Sequence, residues 1–92
     1  MSVAKPKFAL GQVVATPNAL NAVPNPEILR ALQRHHSSDW GDVCEEDRRE
    51  NERALIEGTR LLSAYHSANG TKFWIITEAD RSATTVLLPE DY

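Results

Sequence analysis

The sequence has 92 residues, 41% of them hydrophobic and 25% charged, with a net charge of −3. That is too apolar for a disordered chain, and at this length one domain with one modest core is expected. The acid excess speaks against nucleic acid as a main ligand, because phosphate-tracking proteins draw their affinity from clustered Lys and Arg. A single cysteine, Cys44, excludes an intramolecular disulfide and a cysteine-built zinc cage. No apolar run approaches the ~20 residues of a membrane span. The opening MSVAKPKFAL has lysines but no apolar h-region, so a cytoplasmic, bacterial protein without a membrane partner is expected.

Residues 1–6 read as a loose arm. Phe8 to Thr16 carries β-branched residues in partial alternation and predicts a first strand, with Gly11 as a bulge. Thr16-Pro17 is a helix start, a hydroxyl cap followed by a proline whose missing N–H is not needed there. That helix runs to Val23, and Pro24 ends it. Asn25-Pro26 repeats the signal, and Ile28, Leu29 and Leu32 form the apolar stripe of a second helix reaching His35 or His36. After a loop over Ser37 to Gly41, Asp42 to Glu45 fits a capping box for a helix ending at Glu57, with Gly58 as its left-handed stop. Its apolar stripe is thin: Cys44, Ala54 and Leu55, interrupted by Arg48 and Asn51. Spaced pairs such as Glu45–Arg49 add only ~0.2–0.5 kcal/mol each, which places this helix at the periphery.

Arg60 to His66 predicts a strand, and Asn69-Gly70 a two-residue type I′ turn. Counting outward from that turn sets Tyr65 opposite Trp74. Lys72 to Glu78 is apolar on both faces, as a central strand should be, so Trp74 is expected in the core. Ala79 to Ser82 turns the chain, Ala83 to Leu88 returns, and Pro89 stops the pairing. The class is α+β: an antiparallel sheet of about four strands in β-α-α-β-β-β order, a third helix being optional, with helices on one face.

Four groups of residues are candidates for function. The first is the acidic band from Asp39 to Glu57, eight carboxylates against three arginines. It reads as a solvated face or, through Glu45, Glu46 and Asp47, as a docking face for a basic partner. The second is the turn Glu78 to Thr85. Asp80 and Ser82 there suit local side-chain turns, Glu78 and Thr84 flank them, and Arg81 has no evident local role. The third is Trp40 beside Asp42, read as a lid over the sheet in preference to an exposed anchor. The fourth is His35, which with Asp42 and Arg81 would form the cleft of a small nucleic-acid-processing or hydrolytic enzyme. His35, His36, Asp39, Asp42, Cys44 and Glu46 lack the spacing of a metal motif, so neither metal nor cofactor is expected. The apolar sheet face left without helices suggests a homodimer through that face.

Several strings add a resemblance: Arg34-His35, SDWGD at Ser38–Asp42, EED at Glu45–Asp47, Asn51, ALIEG at Ala54–Gly58, Arg60 with LSAY, and WIITEADRSATT with LLPEDY. Together they resemble a family of small "plasmid-related" proteins of bacterial plasmids and integrative elements, some labelled as a type I restriction subunit. The resemblance covers nearly the whole chain and is most specific over Asp39–Asp47 and Trp74–Thr85. Asn21 to Gln33 fits it less well, and His36 lies outside it. It implies a setting on mobile DNA and interaction with the host, and it assigns no activity. The restriction label has no counterpart in these residues, which include no methyl-donor loop and no motor motif. The expectation is therefore a non-enzymatic accessory protein that binds another protein.

Overall fold

The computed structural model describes residues 6–92, so all but Pro6 of the arm expected over 1–6 lies outside the described residues. In chain order the elements are β1 (Gln12–Ala15), α1 (Pro17–Ala22), α2 (Asn25–His36), α3 (Glu45–Glu57), β2 (Leu61–His66), β3 (Lys72–Thr77), β4 (Ala83–Leu87) and a final 3₁₀ turn, Pro89–Asp91. The fold is α+β, and the third helix is present. The sheet order is β1-β4-β3-β2. The β2, β3 and β4 strands form the expected antiparallel meander, but β1 runs parallel to β4. The sheet is therefore mixed, because the helices between β1 and β2 carry the chain across before the meander begins.

Local signals explain most element ends. Thr16 caps α1 by accepting the Ala19 N–H at 3.1 Å, with Pro17 at the first helical position. Gly58, at φ 75, ends α3 and returns its N–H to the Ala54 carbonyl. Gly11 is not a bulge within the first strand, which begins only at Gln12. The start of α3 also departs from expectation. Its N-cap is Cys44, which makes no side-chain capping bond, and Asp42 does not cap. Residues around Gly41 are instead extended along β2: the Asp42 N–H binds the Ala64 carbonyl at 2.7 Å, and the Ala64 N–H binds the Trp40 carbonyl at 3.1 Å. This requires a glycine at position 41, where φ is 74 and an added Cβ would lie 2.1 Å from the Ala64 oxygen.

The β2–β3 turn is not type I′. Asn69 keeps a negative φ and only Gly70, at φ 88, is left-handed. The Gly70 N–H binds the Ser67 carbonyl and the Ser67 N–H binds the Thr71 carbonyl, both at 2.9 Å. This is a type I turn closed by a left-handed glycine, a three-residue loop over 68–70. The Asn69 side chain favours it by accepting the Thr71 N–H and donating to the Ala22 carbonyl. One extra loop residue slips the register by one, so Tyr65 faces Phe73 and Ala64 faces Trp74.

That register decides the core. Leu61, Ser63, Tyr65, Phe73, Ile75, Thr77, Thr84 and Val86 share the inward face and are all buried. Beneath α1 and α2, the main cluster joins Ala19, Val23, Ile28 and Ala31 to Tyr65, Phe73, Ile75 and Val86. Burying each large side chain such as Phe73 or Ile75 contributes about 1.5–3 kcal/mol. A second cluster, Trp40, Ala54 and Leu61 with Phe8, Val43 and Leu55, seats α3 at the β2 end. Trp74 lies on the other face and is half-buried, correcting the expectation that it is core. It meets Tyr92 edge-on at 5.9 Å, and Arg60 lies over that tyrosine.

Candidate functional site

The β3–β4 turn holds Arg81 in the left-handed region at φ 60, an uncommon conformation for a residue with a side chain. Its guanidinium donates to four carbonyls: Thr59 at 2.6 Å, Ala54 at 3.0 Å, Glu78 at 3.1 Å and Ala79 at 3.3 Å. Ala54 and Thr59 bracket the C-terminal end of α3, whose last turn has no basic residue of its own. Arg81 thus supplies, from a distant turn, the cation that a helix C-terminus favours. The local role missing from the sequence is this clamp. Asp80 accepts the Ser82 N–H at 3.0 Å, and its carboxyl is held below the usual range chiefly by the Ser82 side chain. Glu78 is exposed and shapes the turn through its backbone, donating to Ala83 and accepting from Arg81.

Thr84 is fully buried and belongs to a polar relay through the core. Its hydroxyl donates to the Leu10 carbonyl at 2.7 Å and lies 2.7 Å from the Thr77 hydroxyl. Thr77 lies 2.8 Å from Nε2 of His35, and Nδ1 of His35 lies 2.5 Å from the Ser63 hydroxyl. The carbonyl at one end fixes each proton as far as Nε2, since a carbonyl only accepts, and the neutral ring that burial favours leaves Nδ1 to accept. Thr84 donates to it, Thr77 donates to Thr84, Nε2–H donates to Thr77, and Nδ1 accepts from Ser63. His35 is therefore the neutral Nε2–H tautomer. Burial, then the neighbouring His36 and Arg81, push its pKa down to about 3. A serine hydroxyl on an imidazole is the arrangement of an activated nucleophile, but Ser63 and His35 are both at 0% exposure.

Trp40 is buried at 3% exposure and acts as the expected lid. Its Nε1–H donates to Glu52 at 2.7 Å, and its ring stacks on Phe8 and meets His35 edge-on. Glu52 is thereby a structural member of the acidic band. Asp39 accepts two bonds from Arg34, at 2.8 and 3.2 Å, and that contact holds its carboxyl below the usual range. Asp42 binds Nδ1 of His66 at 2.8 Å on the surface. His35, Asp42 and Arg81 each bond to a separate set of partners, with no hydrogen bond among the three.

On α3, Glu45 pairs with Arg48 and Arg49, and Glu50 with Arg53. Glu46 and Asp47 are exposed and have no ion-pair partner among the described residues. The helix touches the sheet mainly through Asn51, Ala54 and Leu55, and its Ile56 is 88% exposed. Asn51, read in the sequence as an interruption, is 3% exposed. Its amide donates to the Leu62 carbonyl at 2.7 Å and accepts the Leu62 N–H at 3.0 Å. It thus takes the place of a neighbouring strand on β2. The sequence signal for this was spacing, since Asn51 lies three and four positions before Ala54 and Leu55 on one helix face.

Among the described residues no group of three or more His, Cys, Asp and Glu side chains is placed to hold a metal ion, and no helix is long and apolar enough to cross a membrane. A shallow depression of about 180 Å³ lies between α2 and the β2–β3 end, lined by Glu27, Arg30, Arg34, Tyr65, His66 and Phe73. Two of its polar side chains are already engaged, Arg34 with Asp39 and His66 with Asp42. No family model, curated protein or solved structure matches the chain.

Proposed function

We propose that this chain is a non-enzymatic protein-binding module that presents the outer face of α3 to a basic partner. One contrast carries the reading. His35 and Arg81 are engaged inside the fold, whereas Glu46 and Asp47 stand unpaired on a helix that also exposes Ile56. Unpaired carboxylates on an exposed helix suit the charged rim of an interface with a basic partner. The family resemblance supports a setting on mobile DNA, with the partner a host protein. The test is retention of proteins from a bacterial lysate by the immobilised chain at low salt, comparing wild type with an E46K/D47K variant. A set of basic proteins held by the wild type and released by the double variant is expected. The same proteins held by both would overturn the reading.

The alternative is a small hydrolytic or nucleic-acid-processing enzyme. The Ser63–His35 contact favours it, and the burial of both residues argues against it. Incubation with RNA and with ester substrates, comparing wild type with S63A, separates the two readings. Turnover lost in S63A would favour the enzyme.

A further inference from the structure

The two edges of the sheet are treated differently. Along β2 the edge is closed: Trp40 to Asp42 pairs with Ala64, and Asn51 pairs with Leu62. Along β1 no described residue pairs with the outer side. The Gln12 and Thr16 N–H groups point inward to the Ser82 and Val86 carbonyls, both at 2.9 Å. Backbone direction alternates along a strand, so Val13 and Ala15 turn their N–H and C=O groups outward. An unpaired edge of this kind is a template for another strand, and proteins usually blunt it with charge or proline. Here the blunting is absent until Pro17. No residue from Phe8 to Pro26 is charged, in a chain with 25% charged residues overall. Val13 and Val14 are 44% and 41% exposed, and α1, directly after the strand, exposes Leu20 at 52%.

We infer that β1 pairs antiparallel with β1 of a second copy of this chain, joining two four-stranded sheets into one. Charge selects the occupant. Two chains of net charge −3 repel through their acidic faces, and no residue of Gln12–Ala15 is charged, so a second copy meets this strand with no like charges opposed along it. Geometry selects the register. A two-fold axis at Val14 sets Val13 opposite Ala15 of the other copy, twice over. Each such pair exchanges two backbone bonds, and all four outward N–H groups and all four carbonyls are satisfied. Val14 then faces its own counterpart at a non-hydrogen-bonded position, where the Cα atoms lie about 4.5 Å apart and side chains touch. The pairing is isologous, as a two-fold dimer requires. This interface lies at the opposite edge of the sheet from α3 and does not rest on the binding role proposed for that helix. The contact is small, so the dimer is weak and concentration-dependent.

Light scattering across a concentration series tests it. The mass of the wild type is expected to rise from 10.3 kDa toward twice that value. V14K sets two lysines against each other on the axis, and V13P removes an outward N–H without touching the β4 ladder. Both are expected to hold at the mass of one chain with thermal melting unchanged. A wild type that stays at 10.3 kDa at millimolar concentration, or a dimer that persists in both variants, overturns the inference. A second readout reports the register. In a C44S background, V14C is expected to oxidise to a covalent dimer, since disulfides span Cα separations of about 4.4–6.8 Å. V13C, whose counterpart is offset across the axis, is expected not to. Equal cross-linking of the two, or none in V14C, would overturn the pairing.

Discussion

His35 shows how one residue can be both legible and misread. As the last-turn histidine of α2, grouped with Asp42 and Arg81, it suggested a catalytic group. Its spacing from Ile28 and Leu32 nevertheless places it on the inward stripe, beneath strands that bring Ser63, Thr77 and Thr84 to the same side. A polar trio on a buried face needs a polar partner, so the relay was open to deduction once the strand register was known. Asn69-Gly70, however, has the spelling of a two-residue turn, and a two-residue turn implies a register one position off. The relay makes stability depend on pH. His35 in the fold protonates only near pH 3, whereas in the unfolded chain it does so near 6.5. Between those values the unfolded state binds more protons, so stability is complete above pH 6.5 and is lost as pH falls toward 3. The slope from this group approaches about 1.4 kcal/mol per pH unit. Urea midpoints measured from pH 7 down to pH 4 check it, alongside imidazole NMR showing one histidine that does not titrate over that range. A His35 resonance titrating near 6.5 would contradict the buried neutral tautomer.

At the scale of elements, helices α1 and α2 and the three-strand meander follow from proline starts, apolar periodicity and a final proline. Two features did not. Asp42 to Glu45 has the spelling of a capping box, but Asp42 is drawn away by β2 through its backbone and by His66 through its carboxylate. Tertiary pairing overrode a local signal of about 1 kcal/mol. D42A should therefore cost less than about 0.5 kcal/mol, the loss of an exposed side-chain contact rather than of a cap. C44S should instead stabilise the protein by roughly 0.5–1 kcal/mol, by supplying a hydroxyl at the true N-cap. Chemical denaturation of the two variants decides the point; a larger loss in D42A would restore the aspartate as the cap. The direction of β1 was illegible for another reason. Nothing in Gln12–Ala15 itself records whether its neighbour runs parallel, because the connection through the helices sets that.

Over the whole molecule, the class and the strand sequence were readable from pattern alone, while the division of labour among the charges was not. Arg81 belongs to α3 in space and to the β3–β4 turn in sequence. Glu52 belongs to Trp40, and Asp91 to Thr16 and Asn18 at the start of α1. Each link joins positions that no local window contains. The parallel pairing of β1 with β4 is a further case, setting Gln12 beside Ala83 and Ala15 beside Val86. The meander closes through short loops, whereas β1 can dock only after nearly the whole chain is in place, when long-range closure is last to be rewarded. The same strand should be the first to detach from the native protein by sub-global opening. In hydrogen–deuterium exchange, the Gln12 and Thr16 amides should therefore be at least about tenfold less protected than those of Phe73 and Ile75. Equal protection across the sheet would mean that it opens as one cooperative unit.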